Sequence, residues 1–199
     1  MDFFKYGEEE MDYLKKKDEL LAAVIERIGI IEREVTPDLF KALIHSIIGQ
    51  QISTKAATTI RNRLLDKVPN ITPDDVVALS IEEIQSNGLS IRKAGYIKSC
   101  AAAVIDGAIN LAELAHLSDE EVIQQLSLLN GVGIWTAEML LIFSLQRQDV
   151  VSYGDLGIRK GMMKLYGLES LTKKQFESYR ERYSPYGSVA SLYLWEISK

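Results

Sequence analysis

Helix start signals recur along this chain, and each is followed by apolar residues at helical spacing. Thr36-Pro37 sets a capping hydroxyl before a first-turn proline, and Leu39, Phe40, Leu43, Ile44 and Ile47 then share one face. Ser53 opens a stretch that turns Ala56, Ala57, Ile60 and Leu64 inward. Thr72-Pro73 repeats the hydroxyl–proline start, while Ser80 with Glu83, Ser118 with Glu121 and Thr172 with Gln175 have capping-box spacing. Ser90 begins an alanine-rich helix predicted to run to about Ile109, Ser184-Pro185 begins the last helix, and Gly88 fits a left-handed helix stop. Strand signals are thin: Val150 to Tyr153 is β-prone, but nothing alternates over a useful length. The pattern predicts an all-α protein, a compact bundle of about ten short helices.

Charge and cysteine usage narrow the classes of function. The 199 residues carry a formal charge of −5, which on its face argues against a polyanionic partner. The excess is local, however. Residues 1–38 hold 11 acidic and 6 basic side chains, and the rest of the chain is balanced. Two short runs are basic without any acid: Leu89 to Cys100 with Arg92, Lys93 and Lys98, and Leu156 to Leu168 with Arg159, Lys160 and Lys164. A single cysteine, Cys100, excludes an internal disulfide and an iron–sulfur cluster held by this chain's thiolates. With only His45 and His116 besides, a His/Cys metal centre is not expected. His45 and Cys100 read as structural, although His45 lies one turn before Gln50, where a contact to a ligand is also open. No apolar run reaches the length needed to span a bilayer, and the acidic start is unlike a signal peptide. The expectation is a soluble cytoplasmic protein with no membrane contact.

Two glycine turns carry the chemistry. Residues 127–137 read Ser-Leu-Leu-Asn-Gly-Val-Gly-Ile-Trp-Thr-Ala between an amphipathic and an apolar helix. Gly131 and Gly133 permit a tight turn whose bare backbone leads into the next helix, and helix-opening amides suit a phosphate oxygen. The same residues also suit a plain helix–helix turn. Further on, Gly154-Asp155-Leu156-Gly157 opens a helix bearing Arg159 and Lys160. Asp155 there reads as an N-cap, and the helix dipole that favours a capping carboxylate also keeps it ionised. An ionised carboxylate is what cleavage through a cationic sugar requires.

With these motifs in order, the chain resembles the helix–hairpin–helix DNA glycosylases, and within them the alkylpurine branch, 3-methyladenine DNA glycosylase II of the AlkA/Mag type. The likeness runs from about Phe40 to Trp195. It rests on Ile48-Gly49-Gln50-Gln51-Ile52-Ser53, on Gly88-Leu89-Ser90-Ile91-Arg92-Lys93, on the hairpin and on the Gly-Asp turn. Two departures stand out: Asn130 replaces the usual proline before Gly131, and Gly154 replaces an aspartate found in many alkylpurine members.

The resemblance implies a single domain over 1–199 in two lobes with a cleft between them. One lobe covers about 37–138, including the hairpin; the other covers 1–36 and 139–199. It implies that Asp155 is the catalytic aspartate and that Trp135 and Trp195 line the base pocket, where the residues alone also allow core packing. Trp135 falls where lyase-active relatives carry a Schiff-base lysine, so a monofunctional enzyme without lyase activity is expected. Gln51 would fill the gap left by an extruded nucleotide, and Gln50 would touch DNA or brace that loop. Gly131, Gly133, Thr136, Arg92, Lys93, Arg159 and Lys160 would contact the DNA. The backbone carbonyls of Ser127, Leu129 and Val132 would hold a structural Na+ or K+, with no cofactor required and no iron–sulfur cluster. The partner would be double-stranded DNA containing damaged bases, bound by a monomer that associates with the nucleoid. A helix–hairpin–helix module that binds without cleaving, a glycosylase for uracil, mismatched thymine or an oxidised purine, and a helical interaction protein are the competing readings.

Overall fold

A computed structural model describes residues 2–199 of the chain. Among them twelve α-helices and one short 3-10 turn account for nearly all regular structure. The remainder is a two-residue antiparallel pairing of Asp2–Phe3 (β1) with Glu34–Val35 (β2). The protein is all-α. Its β-prone run at Val150 to Tyr153 is irregular, and the acidic N-terminal segment folds into two helices.

The chain divides into two compact units, one reaching to Val35 and resuming over Leu141–Lys199, the other spanning Thr36–Leu140. The second unit contains α3 (Leu39–Gly49), α4 (Thr54–Lys67), α5 (Pro73–Ala78), α6 (Ile81–Gln85), α7 (Ile91–Ile105) and α8 (Asp119–Ser127). Leu43, Ile44, Ile47 and Ile48 of α3 are fully buried with Leu64 of α4 and Ile97 of α7. Burying each such side chain stabilises the fold by about 1.5–3 kcal/mol before chain entropy is charged. The next helix, α9 (Ile134–Phe143), contains the unit boundary.

The first unit packs α1 (Glu8–Lys17) and α2 (Glu19–Ile28) with α10 (Leu156–Tyr166), α11 (Lys173–Tyr183) and α12 (Gly187–Ser198). Asp18 is buried here and serves three partners. Its Oδ1 caps α2 at Leu21, while Oδ2 accepts the Tyr166 hydroxyl at 2.5 Å and faces the Arg182 guanidinium at 3.6 Å. Tyr166 also meets the Tyr183 hydroxyl at 2.7 Å. Burial, then the neighbouring Tyr183 and Asp18, push the Tyr166 phenol well above its ordinary range.

Most capping signals are used as the sequence suggests. Ser53, Thr72, Ser80, Ser90, Ser118 and Thr172 each accept a backbone amide of the first helical turn. Two starts differ. Asp38, not Thr36, caps α3 by accepting Lys41 N–H at 2.9 Å, because a carboxylate stands closer to the first buried turn. Ser184-Pro185 forms a cis peptide ahead of the last helix, which begins only at Gly187. Helix α7 also stops early, at Ile105, where Asp106 and Gly107 turn the chain.

Helices α10 and α12 touch backbone to backbone at Gly161. A Cβ added there would lie 2.0 Å from the Leu194 carbonyl oxygen, which no side-chain movement relieves. Gly161→Ala should therefore destabilise the protein by about 1–3 kcal/mol or more, although alanine is ordinarily the better helix former. Urea denaturation reads this directly. An unchanged or raised midpoint would show that the two helices separate freely.

Candidate functional site

Asp155 is the N-cap of α10, and only 8% of it is exposed. Its Oδ1 accepts two hydrogen bonds: one from Ile158 N–H at 2.9 Å and one from the indole Nε1–H of Trp195 at 2.9 Å. Together the two donors fix the orientation of the carboxylate. Trp195 projects from the last turns of α12, half-buried, with the Phe143 ring 5.4 Å from its own and tilted by 32°. Gly157 makes the indole's approach possible. A Cβ there would stand 2.8 Å from Trp195 Cδ1 and 3.1 Å from Asp155 Oδ1. Neither Phe143 nor Gly157 is among the site residues drawn from the sequence. The glycine two positions past Asp155 was the available signal; nothing local marks Phe143.

The second set lies in the Thr36–Leu140 unit. The hairpin joins α8 to α9 through Gly131, whose φ of +84° suits glycine. The Tyr96 ring fills the space where a Cβ would sit, only 2.3 Å away. The first intrahelical bond of α9 runs from Ala137 N–H to Gly133 carbonyl at 3.0 Å, so the amides of residues 134–136 precede the helical ladder. Gly133 faces open space, whereas Thr136 is buried. Apolar side chains flank the turn in the open: Leu128 is 77% exposed, Ile134 63% and Trp135 45%.

A cavity of about 580 Å³ opens beside this hairpin, lined by Gln50, Gln51, Arg61, Trp135 and Thr136 with His45. Gln50 closes α3 and donates Nε2–H to the Gly131 carbonyl at 2.8 Å, bracing the loop against the hairpin. Gln51 is exposed and held in the left-handed region at φ +58°. Burial, with the nearby Arg61 and Lys41 charges, lowers the His45 imidazole to about 4, so the ring is neutral near pH 7. Cys100 is buried and its thiol is pushed up to about 12, which leaves it inert.

The basic runs divide by exposure. Arg92 and Lys160 are exposed. Lys93 turns inward: its Nζ donates to the Ile48 carbonyl at 2.9 Å and to the Gln50 carbonyl. Lys98 likewise donates to the Val77 and Leu79 carbonyls, and Lys164 to those of Ser198 and Lys199. Arg159 lies over the Tyr153 ring, 5.4 Å from its centroid. Lysines are therefore a weaker guide to a polyanion surface than their spacing suggests, because helix ends compete for them.

The family model described as HhH-GPD superfamily base excision DNA repair protein matches residues 44–185, which span the hairpin and the Asp155 turn. The chain belongs to this superfamily. It is 39% identical over 165 residues to DNA-3-methyladenine glycosylase 1 of Schizosaccharomyces pombe, covering 80% of this chain and 72% of that protein. The crystal structure of DNA-3-methyladenine glycosidase from Bacillus halodurans superposes with a TM-score of 0.88 at 34% identity, over 100% of this chain and 93% of that one. The S. pombe 3-methyladenine DNA glycosylase in complex with abasic DNA superposes with a TM-score of 0.83 at 33% identity, covering 95% and 96%. The HhH-GPD chain is thus a base excision repair protein whose partner is DNA.

The lowered His45 imidazole is expected to make the fold acid-sensitive. The folded ring binds no proton until the pH nears about 4, whereas the unfolded ring takes one near 6.5. Stability from the neutral ring is whole above pH 6.5 and declines as the pH falls toward 4. Discounted for the solvent that reaches the ring, the loss is about 2 kcal/mol. Denaturant midpoints from pH 7 to 4.5 should fall less steeply in His45→Gln than in the wild type. Parallel curves would reject the assignment.

Proposed function

We propose that this base excision repair glycosylase is monofunctional and removes alkylated purines of the 3-methyladenine and 7-methylguanine type from duplex DNA, leaving an abasic site. The observation that carries the reading is the Asp155 carboxylate held at one oxygen by its own helix and by Trp195 Nε1–H. A purine methylated at N3 or N7 is already cationic and leaves without prior protonation. The chemistry then needs extrusion of the nucleotide, a grip on the base, and a carboxylate against the developing oxocarbenium ion. Asp155 supplies the last. The Ile158 amide and the Trp195 indole keep it aimed, with little reorganisation as the sugar cation forms.

The faces of Trp135 and Trp195 attract a cationic base, by about 0.5–2 kcal/mol each, which favours alkylated over normal purines. Trp135 offers no amine, so no Schiff base forms at that position and no strand cleavage follows. Gln51, exposed and strained, fills the vacated stack. Arg92, Lys160 and the hairpin amides around Gly131, Gly133 and Thr136 meet phosphates, a grip that reads no base. The carbonyls of Ser127, Leu129 and Val132 are proposed to hold a monovalent cation. Ser127 closes α8 at its negative pole, and neutral carbonyl oxygens suit such an ion; when bound it would present positive charge toward a phosphate.

Duplexes containing 7-methylguanine, 1,N6-ethenoadenine, hypoxanthine or uracil test the reading through base release with and without alkali. Release of 7-methylguanine is expected, with breaks only after alkali; breaks without alkali would reject the monofunctional assignment. Asp155→Asn should lower the single-turnover rate by about 100-fold or more while DNA binding persists. Gly157→Ala should lower it by about 10-fold or more by displacing the indole. Full activity in Asp155→Asn would remove the carboxylate from its role, and DNA binding without release of any lesion would favour a non-catalytic module.

A further inference from the structure

Helix α3 ends at Gly49, directly before the Gln50–Gln51 loop, and its last carbonyls have no amide donors within the helix. Two cations from other helices reach this end. Lys93, in the first turn of α7, donates Nζ–H to the Ile48 and Gln50 carbonyls. Arg61 of α4 donates Nη2–H to the His45 carbonyl at 3.4 Å. Gln50 is held a second time, through its side chain, by the Gly131 carbonyl of the hairpin. The next residue is Gln51, at φ +58° with its side chain exposed.

A non-glycine residue in the left-handed region costs about 1–2 kcal/mol, and it persists only where neighbouring groups leave the chain no other course. Here the neighbouring groups are the lysine on one side of the loop and the hairpin on the other. Lys93 thus has its donors on protein backbone, half-buried, while Arg92 beside it is exposed.

We propose that Lys93 is a positioning residue for nucleotide extrusion: by holding the Ile48 and Gln50 carbonyls it presents Gln51 to the duplex already in its inserting conformation. Its charge is committed to the end of α3 and not to a DNA phosphate. The inference rests on the chain's acting on DNA and not on which base it removes.

The test uses a duplex containing a tetrahydrofuran abasic analogue flanked by 2-aminopurine, so that entry of Gln51 into the gap unstacks the fluorophore without any base release. Wild-type protein should raise the fluorescence and Gln51→Ala should not. Lys93→Met should slow the rise about 10-fold or more, while the dependence of log Kd on log salt keeps its slope. A rise at the wild-type rate overturns the proposal. So does a salt slope reduced by about one unit, which would assign Lys93 to a phosphate. Lys93→Ala also removes the donor to the Ile48 and Gln50 carbonyls; it carries the same test if Lys93→Met does not fold, and a wild-type rise in it also overturns the proposal. If wild-type protein raises the fluorescence but releases no alkylated purine, the lesion assignment fails and the role of Lys93 stands. No rise with wild-type protein overturns the presentation of Gln51 itself.

Discussion

Short helices end often, and every end leaves carbonyls that water or another part of the chain must satisfy. Lysines from neighbouring elements meet this demand repeatedly in this protein. Lys93 serves α3, Lys98 serves α5, Lys67 serves α6 through the Glu83 carbonyl, and Lys164 serves α12. Each pairs a cation with the negative pole of a helix and ties together segments distant in sequence. Stability and the shape of the working loops therefore depend on the same bonds. The loop after α3 is the clearest case, since the lysine that satisfies the helix end also sets the backbone leading to Gln51.

The carboxylate site follows a similar logic at the other pole. Asp155 caps its own helix, which any aspartate at that position would do. What distinguishes it is the indole donor, and that depends on two missing side chains. Gly161 lets α10 and α12 meet at backbone distance, and Gly157 leaves room for the Trp195 ring beside the carboxylate. Packing between two helices thus becomes electrostatics at a single oxygen. A larger residue at either glycine would act on the reaction through geometry, with no change in the groups that perform it.

Much of this is legible in the sequence. Six hydroxyl caps fall where the spacing placed them, because a Ser or Thr accepting an amide two or three residues on is a local interaction. Asp155 and the hairpin glycines are equally local. The starts that differ have competing local solutions: Asp38 lies two residues past Thr36, and the segment after Ser184-Pro185 turns before it becomes helical. Lys93 and Lys98 of the first basic run turn inward for a different reason. A lysine's partner is whatever its four-carbon stem reaches, and for Lys93 and Lys98 that is a helix end contributed by another part of the chain.

By itself, the sequence determined the all-α class, most helix starts, the hairpin, and an aspartate placed at a helix N-terminus. Each depends on residues within a few positions of one another, where spacing is geometry. Only the tertiary structure decided that Trp195 donates to Asp155, that Gln50 is tied to Gly131, and that Lys93 faces inward while Arg92 faces out. Those pairings join residues far apart in the chain. Packing selects them, and no local pattern records which helix end a long side chain will meet.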